Sequence, residues 1–212
     1  MTEQRDVKII HLGEIPYQEA LDLMKELQLQ RIDDLIPDTP LLLNHPEIVT
    51  VGPRATNDGI KAPQGYPSHT VDRGGGLTWH GPGQLVGYPI FKWDLEGETS
   101  VAAIISLLEQ WIISTLEDLG IKSSRDDRMQ GVWVDDKKIC SIGLSFLRWV
   151  SRHGFSINID TPSGRVEGLA GCGLESKTTT SLARLDYQIS IEQFTQSLLK
   201  NMQSTVNRIA KD

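Results

Sequence analysis

Two cysteines in 212 residues are too few for a disulfide framework, so they read as free thiols of a reducing compartment, and the cytoplasm is the expected address. No apolar run approaches the roughly 20 residues that a membrane-spanning helix needs, so no membrane association is expected. The opening residues, Met1 to Lys8, mix charges of both signs and lead into no apolar core of the signal-peptide kind. Net positive charge is also lacking. At −7, the chain does not have the charge of a general nucleic-acid binder. No internal repeat or low-complexity linker interrupts it, so one domain over residues 1–212 is the economical expectation.

What is present, 39% hydrophobic and 23% charged residues, suits an ordinary core with a charged surface. Three segments carry helical periodicity. Leu21, Met24, Leu27, Ile32 and Leu35 form a stripe after Pro16. Val101, Ile104, Ile105, Leu108, Ile112, Leu116 and Leu119 form a second, with Thr99 or Ser100 as N-cap. Ile191, Phe194, Leu198, Met202, Val206 and Ile209 form a third, capped by Ser190. Between them lie strand-like runs at Val7 to Leu12, Leu41 to Leu43, Ile48 to Val51, Leu85 to Phe91, Val132 to Val134, Ile139 to Phe146 and Phe155 to Ile159. Asp135 to Lys138 reads as a hairpin turn. Strands outnumber helices without alternating with them, which predicts an α+β fold: a mixed, largely antiparallel sheet backed by helices.

Charge is uneven along the chain. From Ile121 to His153 seven basic residues stand against four acidic ones. That stretch is either a solvated face or a docking patch for an acidic partner.

Four segments carry chemistry. Arg73-Gly74-Gly75-Gly76-Leu77-Thr78-Trp79-His80-Gly81-Pro82-Gly83-Gln84 has neither the Walker A ending nor the dinucleotide spacing. It is a glycine-rich turn with His80 satisfied in the core, or a cradle whose N–H groups hold an anion or a developing oxyanion. In Lys138-Ile139-Cys140-Ser141-Ile142-Gly143-Leu144, strict alternation puts Lys138 on the apolar parity with Cys140 and Ile142. There it either snorkels outward or becomes a base of lowered pKa. Cys172, in Gly168-Leu169-Ala170-Gly171-Cys172-Gly173-Leu174, lies between glycines and is a better nucleophile candidate than mid-strand Cys140. Arg152-His153-Gly154-Phe155-Ser156-Ile157-Asn158 leads a polar element into an alternating strand.

Taken in this order, the segments resemble the lipoyl(octanoyl) transferase family over nearly the whole chain. Its signature is met at Arg73-Gly74-Gly75, Thr78, His80, Gly83-Gln84 and Tyr88. The lysine strand, the His153-Gly154-Phe155 element and the cysteine loop follow at the family's distances, and Thr180-Ser181-Leu182 and Asp38 to Gly52 are similar too. Asn44, Pro53, Gly171 and Ser156 depart from the usual residues, and Gly171 replaces a proline before the cysteine, a change that loosens a loop.

The resemblance implies the fold of biotin and lipoate protein ligase catalytic domains and an acyltransferase that needs no cofactor and no metal. It implies octanoyl transfer from acyl carrier protein to a specific lysine on the lipoyl domains of 2-oxoacid dehydrogenases and on the glycine-cleavage H protein. It implies Cys172 as nucleophile and thioester carrier, and Lys138 as the group that lowers the cysteine pKa and relays protons. Acyl-binding positions would be Arg73, Gly74, Gly75, Gly76, Leu77, Thr78, Trp79, His80, Ser141, Ile142, Gly143, Gly154, Phe155 and Ser156. The principal alternative is an ATP-dependent lipoate or biotin-type ligase, which makes an acyl adenylate and needs no cysteine. A zinc site from His80, His153, Cys140 and Cys172 lacks ligand-like spacing.

Overall fold

Pro16 stands just outside the first helix as its N-cap, with an extended ψ of 141°, and the stripe behind it buries Leu21, Met24 and Leu27. In the computed structural model, which describes residues 3–169 and 178–210, the helix α1 spans Tyr17–Ile32. Ahead of it run β1 (Arg5–Val7) and β2 (Ile10–Glu14). Behind it come β3 (Thr39–Asn44), β4 (Ile48–Val51), α2 (Pro53–Asn57), β5 (Ser68–Thr70), β6 (Leu77–His80) and β7 (Gln84–Ile90). Then follow α3 (Val101–Asp118), β8 (Val132–Val134), β9 (Lys137–Leu147), β10 (Val150–Asn158), α4 (Ile191–Val206) and β11 (Arg208–Ala210).

Six strands form the main sheet in the order β2-β3-β7-β10-β9-β8. Its β2–β3 pair is parallel and the other pairs are antiparallel. A second sheet has the order β5-β4-β6, and β1 pairs with β11. The mixed sheet backed by helices is therefore as the strand pattern predicts.

Local chemistry explains the boundaries. Ser100 caps α3 by accepting from the Ala103 N–H, and Ser190 with Gln193 forms a capping box on α4, satisfying N–H groups that a helix start leaves orphaned. Asp135 and Asp136 both take left-handed angles, φ 46° and 61°, as a two-residue hairpin turn requires.

Three expectations shift. The first stripe stops short of Leu35, which lies beyond the end of α1 and is exposed. The third stripe does not run through Ile209, because Asn207 turns left-handed at φ 53° and ends α4. Arg208 then enters β11, buried against Asp38, Glu98, Phe91 and Trp93. The run from Val7 to Leu12 divides between two sheets. β5 and β6 are additions.

Helices α3 and α4 cover one face of the main sheet through a layer including Phe91, Trp111, Ile139, Cys140, Phe155 and Phe194. On the other face α1 packs through Leu21, Met24 and Leu27 against Leu41, Val86 and Ile90. Beside it the small sheet stands off the main one. The site lies in that gap. Among the described residues no helix is long and apolar enough to cross a membrane.

Candidate active site

A cavity of about 560 Å³ opens between the two sheets. Its lining includes Lys138 and Ser141 from β9, Gly154 and Ser156 from β10, Thr78 and His80 from β6, and the loop 73–76. Lys138 is only 5% exposed, yet it does not share a face with Cys140. Val132 pairs with Cys140 while its neighbour Trp133 pairs with Lys138, so β9 carries one extra residue at this point. Such a bulge sets two residues against one. Ile139 and Cys140 both enter the helix-side core, and Lys138 and Ser141 both line the cavity. The alternation expected from the sequence fails at this residue. Gly131 leaves room for the lysine, since a Cβ there would come within 2.8 Å of Lys138 Cε.

The glycine-rich loop is held from three sides. Gly74 N–H donates to Leu144 O at 2.9 Å, and Gly52 and Arg54 N–H groups donate to Gly76 and Gly75 carbonyls at 3.0 and 3.2 Å. Arg73, 7% exposed, donates to Thr50 Oγ1 at 2.7 Å and to the Gly74 and Gly76 carbonyls at 3.0 Å. The loop thus wraps its own guanidinium. Gly143 is what lets it lie on β9, because a Cβ there would stand 2.6 Å from Gly74 O.

Imidazoles and phenols line the cavity at a distance along β10 from Ser156. Gln84 donates from Nε2 to Trp79 O and Asn158 Oδ1. Its Oε1 therefore accepts from His80 Nδ1 at 2.8 Å, leaving His80 Nε2 unprotonated. Burial pushes the His80 pKa well down. Asn158 donates on to Thr180 O, and Thr180 N–H donates to Lys138 O, both at 3.0 Å. One chain of hydrogen bonds thus joins the glycine-rich signature to the lysine strand.

Farther along, the bond from His153 holds the Asp72 carboxyl down at about 2. The carboxylate accepts from His153 Nε2 at 2.8 Å, and burial lowers the His153 pKa. The neutral ring's Nδ1 faces Tyr17 OH at 3.4 Å. Burial raises Tyr17 to about 12 and lowers His45 to about 4. His153 sits at φ 58°, with its N–H donated to Met24 Sδ rather than to a strand.

The structure brings Lys138, Arg73, Gly74, Gly75, Gly76, Leu77, Thr78, His80, Ser141, Ile142, Gly143, Gly154, Phe155 and Ser156 around one cavity. Trp79 turns away and packs with Val49, Val166 and Leu169, its Nε1 donating to Glu47 at 3.0 Å. Cys172 lies outside the described residues. Leu169, three positions before it, and Thr179, seven after it, both line a smaller chamber together with Lys138. Thr178 O accepts from Lys138 N–H at 2.9 Å. Cys140 is fully buried, and burial pushes its thiol well up.

Sequence reasoning did not assign Tyr17, Asp72, Tyr88 or Asn158 to the site. Tyr88 and Gln84 lay within the matched signature, whereas nothing local marks Tyr17. Three of the seven basic residues of the basic stretch are held in ion pairs, Arg125 with Glu109, Arg128 with Asp126 and Arg152 with Asp72. Arg148 occupies the β9–β10 turn at φ 49°.

Among solved structures, a lipoate-protein ligase A bound with ATP matches with a TM-score of 0.73 at 13% identity, covering 100% of this chain and 88% of that one. A biotin protein ligase from Aquifex aeolicus matches at 0.56 and 12% identity, covering 97% and 69%. The fold is that of lipoate and biotin ligase catalytic domains. The profile of the lipoyl protein ligase A/B catalytic domain matches residues 16–203. An octanoyltransferase of Syntrophobacter fumaroxidans is 40% identical over 187 residues, 85% of this chain and 82% of that one. The chain belongs to the lipoyl protein ligase A/B catalytic family and, within it, to the octanoyltransferases, which are acyltransferases.

Proposed function

We propose that this chain moves an octanoyl group from acyl carrier protein to the ε-amine of a lysine on lipoyl domains, through a thioester on Cys172. The acceptors are the lipoyl domains of 2-oxoacid dehydrogenases and the glycine-cleavage H protein. The observation that carries the reading is Lys138, buried in the cavity wall and tied through its backbone to Thr178 and Thr180, just beyond the cysteine segment. A lysine there favours the Cys172 thiolate, which attacks the octanoyl carbonyl. The carrier departs as a thiol after accepting the cysteine proton. The incoming amine must be neutral to attack, and Lys138, having passed on its proton, accepts one from it. N–H groups of the glycine-rich loop are candidates to hold the tetrahedral oxyanion. A thioester is already activated, so the chemistry calls for no nucleotide, metal or redox group.

The test is a comparison of donors. Octanoyl-carrier protein without ATP or Mg²⁺ should acylate a lipoyl domain, and free octanoate with ATP should not. The reverse result would replace this reading with the adenylating ligase, the activity suggested by the ATP-bound neighbour.

A further inference from the structure

Ser141 and Ser156 stand directly opposite each other on β9 and β10, so their side chains share a face with Cβ atoms about 5 Å apart. Asn158 reaches Gln84 and Thr180, on the side away from Ile157 and the helix-side core. Alternation puts Ser156 on that same side. It is 4% exposed, yet no described residue hydrogen-bonds either serine hydroxyl. Neither oxygen is among the buried side-chain atoms without a partner, so both hydroxyls are open to the cavity they line.

Both serines line the main cavity and also a side chamber of about 40 Å³, which they share with Lys138, Thr78 and Thr179. A chamber of that size has room for roughly two or three waters. Gln84 and Asn158, which also line it, already hydrogen-bond to His80, to each other and to Thr180. The hydroxyls of Ser141, Ser156, Thr78 and Thr179 are the groups left to hold water.

The proton balance of the reaction gives this chamber a task. Loading the enzyme moves the cysteine proton to the departing carrier thiol and releases none. In the second half the acceptor ammonium becomes an amide N–H, so two protons leave its nitrogen. One restores the proton of the Lys138–Cys172 pair as the C–S bond breaks, and the other goes to solvent. Lys138 can accept a proton but must hand it on, and by then the acyl chain and the acceptor lysine occupy the main cavity. We propose that the Ser141–Ser156 hydroxyl pair, with water in the side chamber, is the proton relay that discharges Lys138 in the acceptor half-reaction. The proposal rests on the roles of Lys138 and Cys172 given above.

Single-turnover rates of the two half-reactions separate it from a packing role. Ser156→Ala should slow transfer from preloaded acyl-enzyme to the lipoyl domain on the order of tenfold more than it slows loading from a small octanoyl thioester. Ser156→Thr, which keeps the hydroxyl, should recover most of the difference. A curved dependence of the acceptor rate on the D₂O fraction should become linear in Ser141→Ala/Ser156→Ala. Equal slowing of both halves, or no change in either, overturns the relay while leaving the acyl-enzyme reading intact. Absence of any acyl-enzyme in the wild-type protein overturns both.

Discussion

On the helix side of β9, Ile139 and Cys140 sit in a dry apolar layer with Trp111 and Phe155. Immediately before them, Lys138 faces the opposite way, toward hydroxyls, glycines and the signature loop. Both Cys140 and Lys138 are almost wholly buried, so depth alone does not distinguish them. What differs is the company each keeps. Burial among alkyl groups favours the neutral thiol and leaves Cys140 inert. The other side supplies polar neighbours and a cavity, the setting in which a buried amine becomes useful chemistry. The single extra residue in the strand is what separates the two environments.

The sharpest way to break that contrast is to empty the reactive side. Lys138→Ala should stay folded by circular dichroism and lose roughly 10²–10⁴-fold in turnover. Lys138→Arg should not restore it, because guanidinium does not give up its proton. Activity within about tenfold of wild type in the alanine variant would remove Lys138 from the chemistry.

Next in size is Gly143→Ala. The new methyl would press on Gly74 O, 2.6 Å from its ideal position, and lift the signature loop off β9. About 1–3 kcal/mol of stability should be lost, and kcat/KM should fall more than melting at the assay temperature explains. A variant with native kinetics would show that the loop's seat on β9 is unimportant.

On the dry side, Cys140→Ser should preserve transfer to within a few-fold while lowering stability by about 1–3 kcal/mol, the cost of a buried hydroxyl lacking a good partner. Iodoacetamide at neutral pH should leave Cys140 unmodified in the native protein.

The smallest effect is expected at Asp72, whose side chain is 54% exposed and therefore screened by solvent. Its carboxyl is held at about 2 by His153, below the unfolded value near 4. The stabilisation is present above about pH 4 and is lost as pH falls toward 2. Asp72→Asn should lower stability slightly at pH 7 and flatten acid unfolding in that window by the same small amount. An unaltered acid limb would mean that the pair contributes nothing.

The sequence made the periodic parts of this fold legible, because local rules govern them. The stripes on α1, α3 and α4, the caps Ser100 and Ser190, and the Asp135–Asp136 turn each depend on residues within a few positions. The β9–β10 turn was hidden, since Arg148 and Trp149 adopt left-handed angles without the Asn-Gly signal of such turns. The bulge at Ile139 was hidden for a different reason. It depends on where Val132 pairs, a long-range fact that alternation along one strand cannot contain. The signature motif pointed to the glycine-rich loop and His80, but Tyr17 and Asp72 reach the site only through packing of α1 and β10.

The central claim is that Cys172, rather than Cys140, carries the acyl group. Intact-mass analysis after mixing with an octanoyl thioester, followed by peptide mapping, tests it most directly. The account predicts one hydroxylamine-labile octanoyl group per chain, located on Cys172, retained in Cys140→Ser and absent in Cys172→Ser. An octanoyl group found on Cys140, or persisting in Cys172→Ser, would contradict it.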